Sequence, residues 1–255
     1  MMRLALILVV LVAFLNWDVS TQANAIHLDA MLQSGYDELG RSIAWRLVAG
    51  LQVALSVALW VVLFSALIGV SVGLLSGYLG GWLDHVLMRI VDVFLAFPGL
   101  LLAIVLAGVL GPGLNNVILA LVVVGWVGFA RITRAQTLSV KQSLHIEAAR
   151  AMAISTPVIL WRHILPLIRL PLLVEATFGF AAAVLSEAGL SFLGLGIQPP
   201  EASWGQMIRE GARYLLVAPH LVIWPSLALF IFIYGVNSWA EYLRRRWDIY
   251  DQNQR

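Results

Sequence analysis

The sequence predicts an all-α membrane protein, and three observations carry that reading. Uncharged apolar runs of bilayer length recur along the chain; Val53–Gly77, for example, holds no Asp, Glu, Lys or Arg. A hydrocarbon core takes about 20 helical residues to cross, and only helices or closed barrels satisfy their backbone there. The composition agrees: 61% of the 255 residues are hydrophobic, 12% are charged and the mean hydropathy is +0.89, where soluble domains carry about 25% charged residues. Finally, the basic residues gather at the ends of the apolar runs, so the net charge of +2 is not a nucleic-acid footprint. Cysteine is absent, which excludes disulfides and thiolate metal sites.

Taken in order, Leu4–Leu15 is purely apolar, and Met1–Trp17 is just long enough for a first span. A cleaved signal peptide is the rival reading, because Ala23-Asn24-Ala25 has the form of a cleavage site. Residues 18–47 are polar and read as an extramembrane linker, giving an N-terminal region 1–34 and a main domain 35–255. The second span runs from Val53 to Gly77, where Gly69, Ser71, Gly73, Ser76 and Gly77 let neighbouring helices come close. Gly80–Asp84 reads as a turn, and a third span is expected over Val93–Leu110, ended by Gly111-Pro112-Gly113. A fourth, Leu114–Ala130, stops at Arg131 and Arg134; a fifth covers Leu167–Leu190. After the polar stretch Ser191–His220, a sixth covers Leu221–Ala240 and ends at Arg244-Arg245-Arg246. With the N-terminus inside, six spans place 12 of the 16 Lys and Arg in the cytoplasm, leaving only Arg41, Arg46, Arg209 and Arg213 outside.

Between the fourth and fifth spans lies the most polar interior segment, residues 144–166. Leu144–Ala153, with Glu147-Ala148-Ala149, is rich in good helix formers. Ser155 or Thr156 can cap a second helix with Pro157 in its first turn, and Pro166 is expected to close it. The prediction is a cytoplasmic helix–turn–helix. Glu147 has an unremarkable reading as a solvated first-turn acid favoured by the helix dipole. Three acids lie in or beside spans, where ionisable groups are costly and point to function. Asp92 is expected to pair with Arg89, and Glu187 to fix the start of the Leu190–Gly196 turn; Glu175 is the deepest, and Glu175 and Glu187 are the candidates for the pathway or its gate.

Some chemistries are excluded by what is missing. No Gly-x-x-x-x-Gly-Lys-Ser/Thr loop is present, so this chain is not an ATPase. It has no Gly-x-Ser-x-Gly or His-Glu-x-x-His pattern for an intramembrane enzyme. His27, His85, His145, His163 and His220 show no metal-ligand spacing. An ion-coupled secondary carrier, working without an ATPase on its intramembrane carboxylates, is the alternative to a transport subunit.

The central loop resembles the EAA loop of ABC-transporter permeases, and most of the chain is similar to the second permease of the dipeptide/oligopeptide/nickel branch of those importers. The residues that carry this are Asp37–Arg41 with Arg46-Leu47, Gly77–Asp84, Met88-Arg89, Asp92, Ala96-Phe97-Pro98 and Gly111–Leu114. Further on, Ala130-Arg131, Glu187, Leu190–Gly196, Pro200 and Ser203-Trp204-Gly205 match in order and spacing. The resemblance implies a type I importer (MetI-like) permease fold whose cytoplasmic coupling helix docks on an ATPase through Glu147, Ala148, Ala149, Ala153, Ser155, His163 and Pro166. It also implies a heterodimer with a related permease, two ATPase subunits that bind ATP and Mg, and an extracytoplasmic binding protein facing residues 18–47 and 191–220. No cofactor is expected on this chain. The expected place is the bacterial inner membrane, with both termini cytoplasmic, and the expected cargo short peptides, nickel or metal chelates. Several positions depart from the family pattern, among them Ser42, Trp45, Gln52, Ala54 and Ala240-Glu241. The family's loop glycine is Ala153 here. Because alanine disfavours a left-handed backbone, the turn is expected to shift to Ile154-Ser155 or to become right-handed.

Overall fold

The structure, a computed structural model, describes residues 13–31, 33 and 35–252. The expected first span lies outside the described residues over most of its length. The described chain is helical; its only β-type pairings are isolated bridges from Ile26 to Arg41 and from Tyr36 to Ser42. In order the helices are α1 (Ser20–Asn24), α2 (Ile43–Leu79), α3 (Gly81–Leu95), α4 (Gly99–Leu110), α5 (Leu114–Val140) and α6 (Leu144–Ala151). They continue as α7 (Thr156–Val158), α8 (Leu165–Phe192), α9 (Trp204–Ala212) and α10 (His220–Gln252). A π-helical turn, Ile159–Ile164, joins α7 to α8.

Four stretches are long and apolar enough to cross a membrane: Ile43–Leu79, Leu114–Val140, Thr156–Phe192 and His220–Tyr242. A fifth exists if α3 and α4 cross as a pair, and these two are bent by 84°. The described residues therefore hold four or five spans, where five of the six expected spans fall on them. The expected span Val93–Leu110 is broken at Ala96-Phe97-Pro98. Pro98 supplies no N–H and drives Phe97 out of the helical region. The helices of the fourth and sixth spans run on past their basic ends, to Val140 and Gln252. On α5, Arg134 finds a carboxylate partner in Asp84; on α10, Glu241 pairs with Arg244 at 3.1 Å and Arg245 at 2.9 Å.

Two compact units form, each from three separated stretches. One comprises the described residues up to Trp60, Ile104–Ile118 and Ala182–Tyr234; the other Val61–Ala103, Leu119–Ala181 and the chain from Gly235. In the second unit, glycines at every fourth position of α2 form a seam against α5. A Cβ on Gly73 would stand 2.5 Å from Thr133 Cβ, and one on Gly77 2.8 Å from Thr137 Cβ; one on Gly69 would overlap the Trp126 backbone. Without a hydrophobic drive between helices in lipid, such close backbone approach is what holds a pair together. In the first unit, Ser203 caps α9, its Oγ accepting from the Gln206 N–H at 3.3 Å. Trp204 is buried and donates its indole N–H to the Leu47 carbonyl at 3.0 Å, tying α9 to α2.

Candidate functional site

Residues 144–166 form an elbow in the second unit. α6 buries one stripe, Ile146 and Ala149, against Leu74, Tyr78, Ile159, Leu160, Ile164 and Ile168. Full burial of one such isoleucine contributes about 1.5–3 kcal/mol, so the orientation of this two-turn helix is set by packing and not by propensity. The opposite face is bare: Leu144 is 83% exposed and Met152 69%, with Glu147 and Ala148 between them on the surface.

The end of α6 departs from the expectation drawn at Ala153. The turn neither moves nor becomes right-handed: Ala153 has φ 56°, the only non-glycine with positive φ among the described residues. The Ala153 N–H donates to Arg150 O at 2.9 Å and the Ile154 N–H to Ala149 O at 3.1 Å. These are the two bonds of a Schellman ending, with its usual apolar contact, here Ile154 against the cluster that holds Ile146 and Ala149. Two hydrogen bonds and a half-buried isoleucine hold alanine in a conformation that costs it about 1–2 kcal/mol.

The second arm also differs. Ser155 occupies the N-cap position without a side-chain bond, and Pro157 lies in the first turn. Pro166 does not close the helix: the chain stays helical from Thr156 to Phe192. The π turn explains this. The Leu165 N–H reaches back five residues to Leu160 O, so the register resets and Pro166 becomes the second residue of α8, where no N–H is required. His163 lies within the π turn, half-buried, and Pro166 is exposed.

Tyr78, at the end of α2, clamps the elbow. Arg150 lies 4.9 Å from the Tyr78 ring centroid and donates Nε–H to its hydroxyl at 3.2 Å. Lys141 sits 5.7 Å from the same ring and donates to the Tyr78 carbonyl at 2.5 Å. Tyr78 belongs to the matching stretch Gly77–Asp84, but a pairing across 72 residues leaves no local signal of its own.

In the same unit, a cavity of about 600 Å³ is lined by Asp92, Arg131, Arg134, Glu175, Gly128 and apolar neighbours. A second, of about 450 Å³, shares Met88, Asp92 and Arg134 and adds Asp84, His85 and Arg89. Arg134 is committed: its Nε and Nη2 donate to the two Asp84 oxygens at 2.6 and 2.7 Å, and Ser76 also bonds to Asp84. The expected Arg89–Asp92 ion pair does not form among the described residues, although both line the smaller cavity.

Residues 69–248 match the family of binding-protein-dependent transport system inner membrane components. The chain belongs to that family. It is 44% identical over 210 residues to the glutathione transport system permease protein GsiD of Shigella flexneri, over 82% of this chain and 69% of that protein. The GsiD of Escherichia coli O157:H7 is 41% identical over the same span. The fold is similar to that of a chain of the MetNI methionine ABC transporter in an inward facing conformation, with TM-score 0.66, 22% identity, and 80% of this chain and 97% of that one covered. A second crystal form gives a TM-score of 0.64 at 24% identity, over 79% of this chain and 96% of that one. The protein is an ABC importer permease, a transport subunit and not an enzyme.

In this permease, Glu147 and Ala148 share the exposed face of α6, whereas Ala149 faces the core and cannot present its side chain to a partner. Glu187 lies in the other unit from Glu175. It is 2% exposed and accepts from Ser191 Oγ at 2.6 Å, with Ser203 also bonded to it. It thus ties the end of α8 to the start of α9. The linker at residues 35–46 is also more than a connection. Arg41 reaches Asp37 at 2.7 Å, and Arg46, 1% exposed, lies 3.5 Å from Asp37 and 3.3 Å from Glu210 on α9. Burial pushes the neighbouring Glu38 carboxyl above the usual carboxylate range, with Asp37 and Glu210 adding to the rise.

Proposed function

We propose that this permease is one half of the membrane channel of an ATP-driven importer for short peptides or a related small solute, with glutathione-like tripeptides the first class to test. In this reading it pairs with a second, homologous permease. Two ATPase subunits supply ATP hydrolysis with Mg, and an extracytoplasmic binding protein delivers the cargo. The elbow then lies in the cytoplasm, with both termini, and the complex sits in a bacterial inner membrane.

One observation carries the proposal: the elbow's geometry. A two-turn helix with a buried back, a locked end and a bare face of Leu144, Glu147, Ala148 and Met152 suits insertion into a cleft on a partner. Tyr78 and the Ile146/Ala149 stripe join that face to α2 and α8, so a push on α6 passes to two spans. The GsiD relatives support the cargo class.

The test is ATP-driven uptake of glutathione, short peptides and metal chelates by vesicles holding the assembled complex, with the native chain and with Glu147→Lys. The expected outcome is an assembled Glu147→Lys complex that hydrolyses ATP but transports poorly. Unchanged uptake, or a native complex that carries no ATPase subunit, would overturn the coupling assignment.

A further inference from the structure

The larger cavity of the second unit holds a carboxylate that makes no ion pair among the described residues. Glu175, on α8, is half-buried and has no hydrogen bond or ion pair among the described residues. Arg134, which lines the same cavity, is held by both oxygens of Asp84. The site is nevertheless shaped for the carboxylate. A Cβ on Gly128 would collide with Glu175 Oε1, so the bare α-carbon of Gly128 makes the space the carboxylate occupies. Three residues on along α5, about 4.5 Å by helical rise, Arg131 lines the same cavity on the same face, exposed and without an ion-pair partner among the described residues.

An unpaired acid within a span is costly unless something meets it. Here a carboxylate from α8 and a guanidinium from α5 line one cavity of about 600 Å³, a volume suited to a small organic solute. One acid and one base on the same cavity suit a zwitterion better than a simple anion or an apolar molecule. We infer that this cavity is a solute-binding station on the transport path, where Glu175 receives the ammonium group of a peptide-like zwitterion and Arg131 faces its carboxylate. The inference rests on the importer reading and adds to it the residues and the charge pattern that meet the cargo.

The chain has no cysteine, so Ala135→Cys places one reactive thiol in the cavity wall of the assembled complex, with Ile132→Cys as a second reporter if the first does not assemble. The rate at which a charged methanethiosulfonate modifies that position is read by mass spectrometry, with S-methylglutathione or its N-acetyl derivative as probe. Both probes lack a free thiol, and only the first has an ammonium group. S-methylglutathione should protect at about ten-fold lower concentration, the discrimination of one charge-assisted hydrogen bond. Glu175→Gln should erase that preference. Equal protection by both probes, protection by neither, or a preference that survives Glu175→Gln would each overturn the inference. ATP-driven uptake by the native complex is measured alongside, and its failure would count against the importer reading itself.

Discussion

Replacing Ala153 by glycine tests the local energetics of the elbow directly. Alanine at φ 56° carries a steric cost of about 1–2 kcal/mol that glycine does not. Glycine gives back about 0.5–1 kcal/mol through the greater freedom of its unfolded chain. The difference leaves Ala153→Gly more stable locally by about 0.5–1 kcal/mol. A membrane complex of several subunits has no single unfolding transition, so the fitting readout is local. Hydrogen–deuterium exchange of peptides spanning 144–158 in the purified complex should slow by about two- to five-fold, the same free energy expressed as a change in the opening equilibrium. Ala153→Val is the control, since a β-branched residue tolerates positive φ least, and should speed exchange. Unchanged or faster exchange in Ala153→Gly would refute the left-handed ending and restore a right-handed or displaced turn.

The other predictions use contacts described above. Tyr78→Ala removes a buried ring that packs on Ile146 and meets Arg150, at a cost of about 3–5 kcal/mol for an aromatic truncation; Tyr78→Phe removes only the hydroxyl bond, about 0.5–1.5 kcal/mol. Exchange across 144–158 should therefore rise steeply in the alanine variant and little in phenylalanine, and coupled uptake should follow the same order; an inert Tyr78→Ala would sink the clamp. Gly73→Leu drives a side chain into the Ala130 carbonyl and Thr133 and should lower the yield of assembled complex, since overpacking costs about 1–3 kcal/mol and more against backbone. Gly108→Leu, where nothing lies within 4 Å, should assemble normally, and equal yields for the two would dismiss the seam.

The legible parts of this protein were those written in short stretches of chain. The glycines at 69, 73 and 77 announce a close helix contact because small residues at helical spacing have one common use in lipid. The bounds of α6 fall within two residues of the expected Leu144–Ala153 because Glu and Ala favour helix while Ser143 and Ser155 interrupt it. The misread positions share a different cause. Pro166 stops a helix only if the register before it is α, and the π turn that changes the register is a product of packing Ile159, Leu160 and Ile164. The helix α5 outruns Arg131 and Arg134 because Asp84, 50 residues earlier in the chain, supplies a partner. Arg89 and Asp92 sit three apart and look paired, yet both turn to a cavity instead.

By itself, then, the sequence determined the membrane class, the uncharged spans, the place of the elbow and the family resemblance. Each follows from composition or from residues within a few turns of one another. Only the tertiary structure decided that Ala153 keeps a left-handed backbone, that Tyr78 holds Arg150 and Lys141, that Arg46 is buried against Glu210, and that Glu175 lines a cavity with no ion pair among the described residues. Those outcomes depend on which distant groups packing brings within about 4 Å, where Coulomb and hydrogen-bond energies become large away from water. A local pattern carries no record of such distances.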